Sequence, residues 1–119
     1  MLYRQDRETV RRVRDILTAA LPEPVTLEQA ARRLHLTVRT LHRRLQEESS
    51  SFRALKDALR RDLALTQLEK TNHPIAVIAA DLGYAEPSAF FRAFFAWTSE
   101  APTAYRKRIA AQQAAAVRP

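Results

Sequence analysis

TLEQAARRLHLTVRTLHRRL, residues 26–45, contains two helix signatures separated by a short turn. Thr26 and Gln29 have the spacing of a capping box, in which each side chain binds a backbone N–H at the start of a helix. The apolar pattern of that helix breaks at His35, and Thr37 is suited to cap a second helix. This stretch therefore predicts a helix-turn-helix.

The apolar residues of both predicted helices recur at helical spacing. They are Leu27, Ala30, Ala31 and Leu34 in the first helix, and Leu41 and Leu45 in the second. The opposite face of the second helix is polar and includes Arg39, His42, Arg43 and Arg44. We expect the second helix to pack through its leucines and to expose its arginines.

The charge balance of the 119-residue chain is strongly basic. There are 20 Lys and Arg against 13 Asp and Glu, which gives a net charge of +7 and a pI of about 10.8. A polyanion is therefore the first partner to consider. The length permits one domain or two small ones.

Composition also argues against several classes of site. Without cysteine, the chain cannot form disulfides, thiolate metal sites or cysteine nucleophiles. His35, His42 and His73 are too scattered for a metal site. The sequence also lacks the Gly-rich loops and carboxylate pairs that would suggest an enzyme. We expect no cofactor and no metal. Because no apolar run approaches the roughly 20 residues that span a bilayer and charged residues follow Met1, we expect a soluble cytoplasmic protein without membrane contact.

Further helical segments flank residues 26–45. Residues 4–20 have one apolar face, which predicts a helix that ends before Pro22. Ser51 can cap a helix over residues 52–69, about 27 Å long, that the sequence TNHP at 71–74 stops. The abundance of Ala, Leu and Arg favours helices almost everywhere, and strands find little support.

The second half of the chain repeats the spacing of the first. With an offset of 48 residues, Leu27, Ala31, Leu34 and Leu36 align with Ile75, Ala79, Leu82 and Tyr84. Beyond the turn the offset is 49, and Leu41, Arg43 and Leu45 align with Phe90, Arg92 and Phe94. Gly83, the only glycine, occupies the turn position that needs a left-handed backbone, and His35 occupies it in the first copy. The repeat predicts a second helix-turn-helix, with Pro87 in the first turn of its second helix.

Residues 75–106, IAVIAADLGYAEPSAFFRAFFAWTSEAPTAYR, resemble the DNA-binding domain of the AraC/XylS family of bacterial transcription regulators. The resemblance extends over about residues 25–106. The matching positions are Ile78, Ala79, Gly83, Tyr84, Ser88, Phe90, Arg92, Phe94, Pro102, Tyr105 and Arg106. Two positions depart from the family pattern, because Ser99 replaces the usual glycine and Ala101 replaces a small hydroxyl residue. Both lie in the loop before the last helix.

The resemblance implies an all-α fold with two homeodomain-like three-helix units joined by one long helix. Both second helices would then enter successive major-groove segments, and a connecting helix of about 27 Å has the scale needed to span one DNA turn of roughly 34 Å. Many family members carry an effector-binding or dimerising domain ahead of this one. Because no segment before residue 25 is large enough for that domain, we expect either a stand-alone regulator or the C-terminal part of a longer one.

The chain is accordingly expected to contain three parts. They are an N-terminal amphipathic helix or linker (1–24), a double helix-turn-helix domain (25–106) and a helical or frayed tail (107–119). The middle part comprises a first unit at about 25–48, a connecting helix at about 52–70 and a second unit at about 75–106.

The same resemblance assigns candidate DNA contacts by position. The base-contacting candidates are Arg39, His42 and Arg43 in the first unit and Ser88, Phe91 and Arg92 in the second. The backbone-contacting candidates are Thr37, Arg44, Pro87 and Arg106. Since only Ser88 and Arg92 can form hydrogen bonds in the second set, we expect that unit to discriminate sequence less strictly, with Phe91 either touching thymine methyl groups or belonging to the core.

Two functions remain to be separated. The leading prediction is sequence-specific binding of promoter or operator DNA by a regulator that acts at the bacterial nucleoid, with RNA polymerase as a further candidate partner. The alternative is a helical protein-interaction module that uses an exposed apolar face within residues 1–20.

Overall fold

The computed structural model describes residues 7–116, which form seven α-helices and contain no strand. The helices are α1 (Glu8–Ala20), α2 (Leu27–Arg33), α3 (Val38–Glu47), α4 (Phe52–Lys70), α5 (Ile75–Asp81), α6 (Pro87–Thr98) and α7 (Pro102–Ala116). The chain forms two compact units, and the boundary between them lies within α4: unit 1 ends at Leu59 and unit 2 begins at Arg60. The predicted all-α architecture is confirmed.

Local capping signals set the starts of three helices in unit 1. The capping box predicted at Thr26 and Gln29 is present, with hydrogen bonds of 3.1 Å and 3.0 Å between each side chain and the other residue's backbone N–H. Thr37 accepts a 3.0 Å bond from the backbone N–H of Thr40, and Ser51 caps α4 in the same way. These short-range bonds satisfy N–H groups that a helix leaves without intrahelical partners.

The core of unit 1 is aliphatic. Its fully or nearly fully buried side chains include Val13, Leu17, Val25, Ala30, Ala31, Leu41, Leu45, Leu55 and Leu59. Both α1 and α2 pack against α3, so the predicted leucine stripe of α3 lies inside the unit. Because Val13 and Leu17 are buried there, α1 does not offer the exposed apolar face that the interaction-module alternative requires.

A carboxylate from the end of α3 caps α1. Glu48 accepts hydrogen bonds from the backbone N–H groups of Thr9 (3.1 Å) and Val10 (2.8 Å), and Arg7 donates a 3.1 Å bond to the Glu48 carbonyl. Burial opposes ionisation of Glu48, but the N–H groups of Val10 and Thr9 bind its charged form and lower its pKa below 4.5. This contact attaches α1 to the residue that follows α3.

The turn between α2 and α3 has the geometry of a helix C-terminal Schellman motif. The backbone N–H of Leu36 donates to the carbonyl of Ala31 at 2.9 Å, and that of His35 donates to the carbonyl of Arg32 at 3.0 Å. His35 adopts the left-handed conformation predicted for it, with φ of 57°.

The corresponding turn in unit 2 repeats these bonds 48 residues later. Tyr84 donates to Ala79 and Gly83 donates to Ala80, both at 3.0 Å, while Gly83 has φ of 92°. The predicted repeat is therefore confirmed at the level of individual hydrogen bonds. The left-handed conformation costs Gly83 less than His35 because glycine has no Cβ.

Aromatic rings pack against one another within the core of unit 2. Phe90 and Phe94 are fully buried, with ring centroids 5.8 Å apart, and the ring of Tyr105 lies edge-on to Phe94 at 5.6 Å. Tilted and edge-on ring pairs of this kind are worth about 0.5–1.5 kcal/mol beyond the area they bury. Trp97 and Tyr84 pack around them. Phe90 and Phe94 thus form the buried side of α6, as their helical spacing predicts.

Tyr105 fixes α7 to α4 within unit 2. Its hydroxyl donates to the carboxylate of Glu69. Burial and this hydrogen bond raise the pKa of Tyr105 to about 12, so the phenol stays protonated under ordinary conditions.

Ser99 shows how the loop before α7 accommodates a departure from the family pattern. It ends α6 in the left-handed conformation, with φ of 63°, and donates from its backbone N–H to the carbonyl of Phe95 at 2.7 Å. Thr98 supports the turn, because its hydroxyl accepts from the backbone N–H of Glu100 at 3.2 Å. Serine thus takes the backbone geometry that favours glycine.

Candidate nucleic-acid interface

The polar face of α3 is exposed while its leucine face is buried. Arg39, His42 and Arg43 all face solvent at positions i, i+3 and i+4 of the helix, so they share one side of it. Arg44 is also exposed, further around the helix. The packing of α3 in unit 1 therefore presents the predicted candidates together.

Arg43 has an intrahelical partner in this surface. Its Nη1 atom lies 3.1 Å from Oε2 of Glu47, and the two side chains are 58% and 60% exposed. A pair this exposed contributes about 0–1 kcal/mol, so a stronger anionic partner can replace Glu47 at little cost.

Thr37 has a defined place at the start of α3. Besides accepting the backbone N–H of Thr40, its hydroxyl donates to the Thr40 hydroxyl at 3.0 Å. The side chain is exposed at the N-terminal end of the helix, as the backbone-contact prediction requires, while its hydrogen bonds serve capping.

The second helix of unit 2, α6, presents fewer polar groups. Pro87 occupies the first turn as predicted, and Ser88 and Arg92 are exposed one turn apart. Glu86 precedes α6 without a side-chain capping bond. The exposed face of α6 thus carries one cationic and one hydroxyl side chain among its predicted contacts.

Phe91 divides its ring between the core and the surface. It is half-buried, packs against the unit 2 core, and meets Phe90 edge-on at a centroid distance of 6.4 Å. Part of the ring thus belongs to the core, and contact with a thymine methyl group stays a prediction.

Arg106 binds the C-terminal end of α4. Its guanidinium donates to the carbonyls of Leu68 (3.4 Å), Thr71 (3.2 Å) and His73 (2.7 Å). Leu68 belongs to the last turn of α4, whose carbonyls lack intrahelical donors, while Thr71 and His73 lie in the segment that follows the helix. Arg106 therefore has a structural role that its motif position did not reveal. Three of its five N–H donors are used, which leaves two for another partner.

Two further exposed side chains lie on the polar sides of α3 and α6, outside the predicted sets of DNA contacts. Gln46 follows Arg39 at i+7, and Phe95 follows Ser88 at i+7; both are exposed. Extending each candidate set by one helical turn would have found them. The resemblance assigns contacts only at positions that match the family, and neither residue is among them.

Other kinds of site have little support between residues 7 and 116. That part of the chain contains no group of three or more His, Asp or Glu side chains placed to hold a metal ion. None of its helices is both long and apolar enough to cross a bilayer.

Comparison with known proteins places the two units in a family. The family described as "Helix-turn-helix domain" matches residues 30–108. The ornithine utilization regulator of Pseudomonas aeruginosa is 41% identical over 96 residues, which cover 81% of this chain and 28% of that protein. The chain spans about a quarter of the length of the curated relatives it matches.

Solved structures agree with this assignment. A DNA-binding transcriptional dual regulator from Escherichia coli K-12 superposes with a TM-score of 0.80 at 25% identity, covering 92% of this chain and 96% of that one. The DNA-binding domain of AdpA, solved in complex with a target DNA, superposes with a TM-score of 0.73 at 25% identity, covering 88% and 92%. The repeated turn, the two helices with exposed polar faces and these similarities show that the chain belongs to the AraC family of helix-turn-helix transcription regulators.

Proposed function

We propose that this chain binds double-stranded DNA in a sequence-specific manner as the DNA-binding part of a transcription regulator. One observation carries the proposal: in each unit a helix buries its apolar stripe and exposes a face with arginine at the same repeat position, Arg43 on α3 and Arg92 on α6. The similarity to a DNA-bound domain supports duplex DNA as the polyanion.

The first recognition helix supplies the stricter base contacts in this proposal. Arg39 and Arg43 can each donate two hydrogen bonds to guanine O6 and N7, and a good pair of this type discriminates by about 1–3 kcal/mol. His42 lies between them on the same exposed face. On α6, Ser88 and Arg92 can hydrogen-bond to bases, and the exposed part of Phe91 can touch a thymine methyl group.

Backbone contacts complete the proposed interface. Thr37 and Pro87 lie in the first turns of the two recognition helices, and Arg44 adds an exposed positive charge beside the base-contacting set. Arg106 can direct its two remaining donors to a phosphate while it keeps α4 capped. Such contacts would orient the protein without selecting sequence.

Selection from a random pool of duplexes tests the proposal. We expect one enriched sequence with two half-sites about one helical turn apart, protected on one face of the DNA in a hydroxyl-radical footprint. If about four phosphates are neutralised, affinity should fall roughly a hundredfold between about 50 and 200 mM salt. Equal affinity for all duplexes, with no dependence on salt, would contradict the proposal.

The regulatory setting is part of the same proposal. We expect the protein to act in the bacterial cytoplasm at the nucleoid, with RNA polymerase as a partner and, in a longer chain, an N-terminal effector-binding or dimerising domain. A tagged copy expressed in bacteria should co-localise with DNA and enrich promoter fragments after crosslinking. Uniform fluorescence together with no promoter enrichment would rule out this setting.

A further inference from the structure

Phe95 is an unusual residue on the surface of unit 2. Among the described residues, the large apolar side chains that are clearly exposed are Phe95, at 57%, and Val77, at 44%. Exposure of most of a phenyl ring to water is unfavourable, because apolar surface is more stable when it is removed from water. An exposed ring therefore calls for a partner when it adjoins a binding face.

The position of Phe95 on α6 connects it to the proposed DNA contacts. Ser88, Phe91, Arg92 and Phe95 are spaced at i, i+3, i+4 and i+7, and this spacing places them on one side of a helix. The backbone at Phe95 is still helical, and its carbonyl accepts the bond from Ser99 that ends α6. The ring thus extends the face formed by Ser88 and Arg92 by one turn.

The same four-position spacing has a precedent in DNA recognition. Homeodomain recognition helices contact the major groove from positions i, i+3, i+4 and i+7. An apolar side chain has one apolar partner among unmodified base edges there, the C5-methyl group of thymine. The neighbouring Arg92 and the net charge of +7 favour an anionic duplex over an apolar protein surface.

We propose that Phe95 contacts the C5-methyl group of a thymine and so selects thymine at one or two positions of the bound site. This inference rests on the proposed DNA-binding function and adds a residue and a ligand group to it. Burying one methyl group against a ring changes affinity by about fourfold.

Replacement of single thymines by deoxyuridine provides the test, because it removes the methyl group and keeps every hydrogen-bonding group of the base. The duplex selected by the 119-residue chain is titrated by fluorescence anisotropy at fixed salt, with one thymine replaced at a time. For the unmodified protein, we expect about fourfold weaker binding at one or two positions. Phe95→Ala should bind the thymine and deoxyuridine duplexes equally well at those positions.

Two further variants make the result specific. Val77→Ala, which shortens the other large apolar side chain that is clearly exposed among the described residues, should keep the fourfold sensitivity. Phe95→Leu keeps an apolar surface and should retain part of that sensitivity, which separates loss of the contact from loss of folding.

Two results would overturn the inference. One is equal deoxyuridine sensitivity in Phe95→Ala and the unmodified protein. Another is an unmodified protein that selects a sequence but responds to no thymine methyl; the DNA-binding function would then stand and the inference alone would fail. If the first result is accompanied by loss of self-association in sedimentation, the ring belongs to a protein contact.

Discussion

The Glu48 carboxylate accepts a 2.8 Å hydrogen bond from the backbone N–H of Val10, so the residue after the first recognition helix caps a helix that lies 38 positions earlier in the chain. Arg7, which precedes α1, is left-handed and makes no side-chain capping bond. A negative charge near the N-terminal end of a helix stabilises it, and the Glu48 carboxylate, at the end of α3, supplies such a charge to α1.

Replacing Glu48 by Gln should destabilise unit 1. Glutamine keeps one acceptor but lacks the charge and the second acceptor. Loss of a helix cap commonly lowers the free energy of unfolding by about 1 kcal/mol, and we expect a loss of that size here. Urea unfolding followed by far-UV circular dichroism measures the loss. Glu47→Gln is the matched control, because that side chain is exposed and its pair with Arg43 is worth about 0–1 kcal/mol. An equal loss in both variants would show that the cap contributes nothing specific.

The Glu48 cap should also depend on pH. The folded-state pKa of Glu48 lies below the ordinary value of 4.5, so its stabilising contribution is fully present above about pH 5. It is lost as the pH falls through the lower folded-state pKa. We expect the stability difference between the unmodified protein and Glu48→Gln to be constant from neutral pH down to about pH 5 and to shrink below it. A difference that grows on acidification would contradict this assignment.

Ser99→Gly should stabilise unit 2. The left-handed conformation destabilises a residue with a Cβ by about 1–2 kcal/mol, and glycine avoids this cost. Glycine loses more conformational entropy on folding, however, which offsets part of the gain. The expected net gain is about 0.5–1 kcal/mol, measured as a rise in the thermal unfolding midpoint. Ser99→Ala keeps the Cβ and should bring no gain, and a similar rise in both variants would mean that φ at this position is not the cause.

Arg43→Ala should relax DNA specificity. Loss of a bidentate contact to guanine reduces discrimination by about 1–3 kcal/mol at one or two base pairs and leaves the preference elsewhere unchanged. Repeating the duplex selection with the variant reveals the affected positions. If every base position loses preference equally, Arg43 is not the base contact.

Arg106→Ala should affect stability and affinity together. Removing the guanidinium leaves the carbonyls of Leu68, Thr71 and His73 without that donor, at a cost of about 1–3 kcal/mol for those that stay buried. DNA affinity should fall evenly across sequences, since a phosphate contact carries no base preference. Arg106→Lys provides a control, because an ammonium keeps the charge but not the planar geometry that reaches three carbonyls. Full stability in Arg106→Ala would show that the carbonyl contacts are dispensable.

The features that the sequence predicted depend on neighbouring residues. The capping box at Thr26 and the left-handed turn at Gly83 involve partners within five positions, so residue type and spacing are sufficient to predict them. The helical spacing of the apolar residues likewise predicted which side of α3 and α6 would be buried. The choice of candidate DNA contacts came from the family resemblance and stays a prediction.

The features that the sequence did not predict depend on packing between distant residues. Glu48 and Arg106 act on backbone groups between 33 and 39 positions away, and no local pattern marks such a partner. The omission of Phe95 has a different cause. The candidates on α6 ended at Arg92, although Phe95 lies at i+7 from Ser88 on the same exposed side of the helix.

The aromatic core of unit 2 gives the protein an internal optical probe. Trp97, the sole tryptophan, lies 6.3 Å from Phe94 between ring centroids, while the described residues of unit 1 contain neither tryptophan nor tyrosine. Tryptophan emission should therefore report the packing of unit 2, whereas circular dichroism reports the helices of both units. Unfolding curves from the two signals would coincide for a protein that melts in one step and separate for one whose halves melt independently.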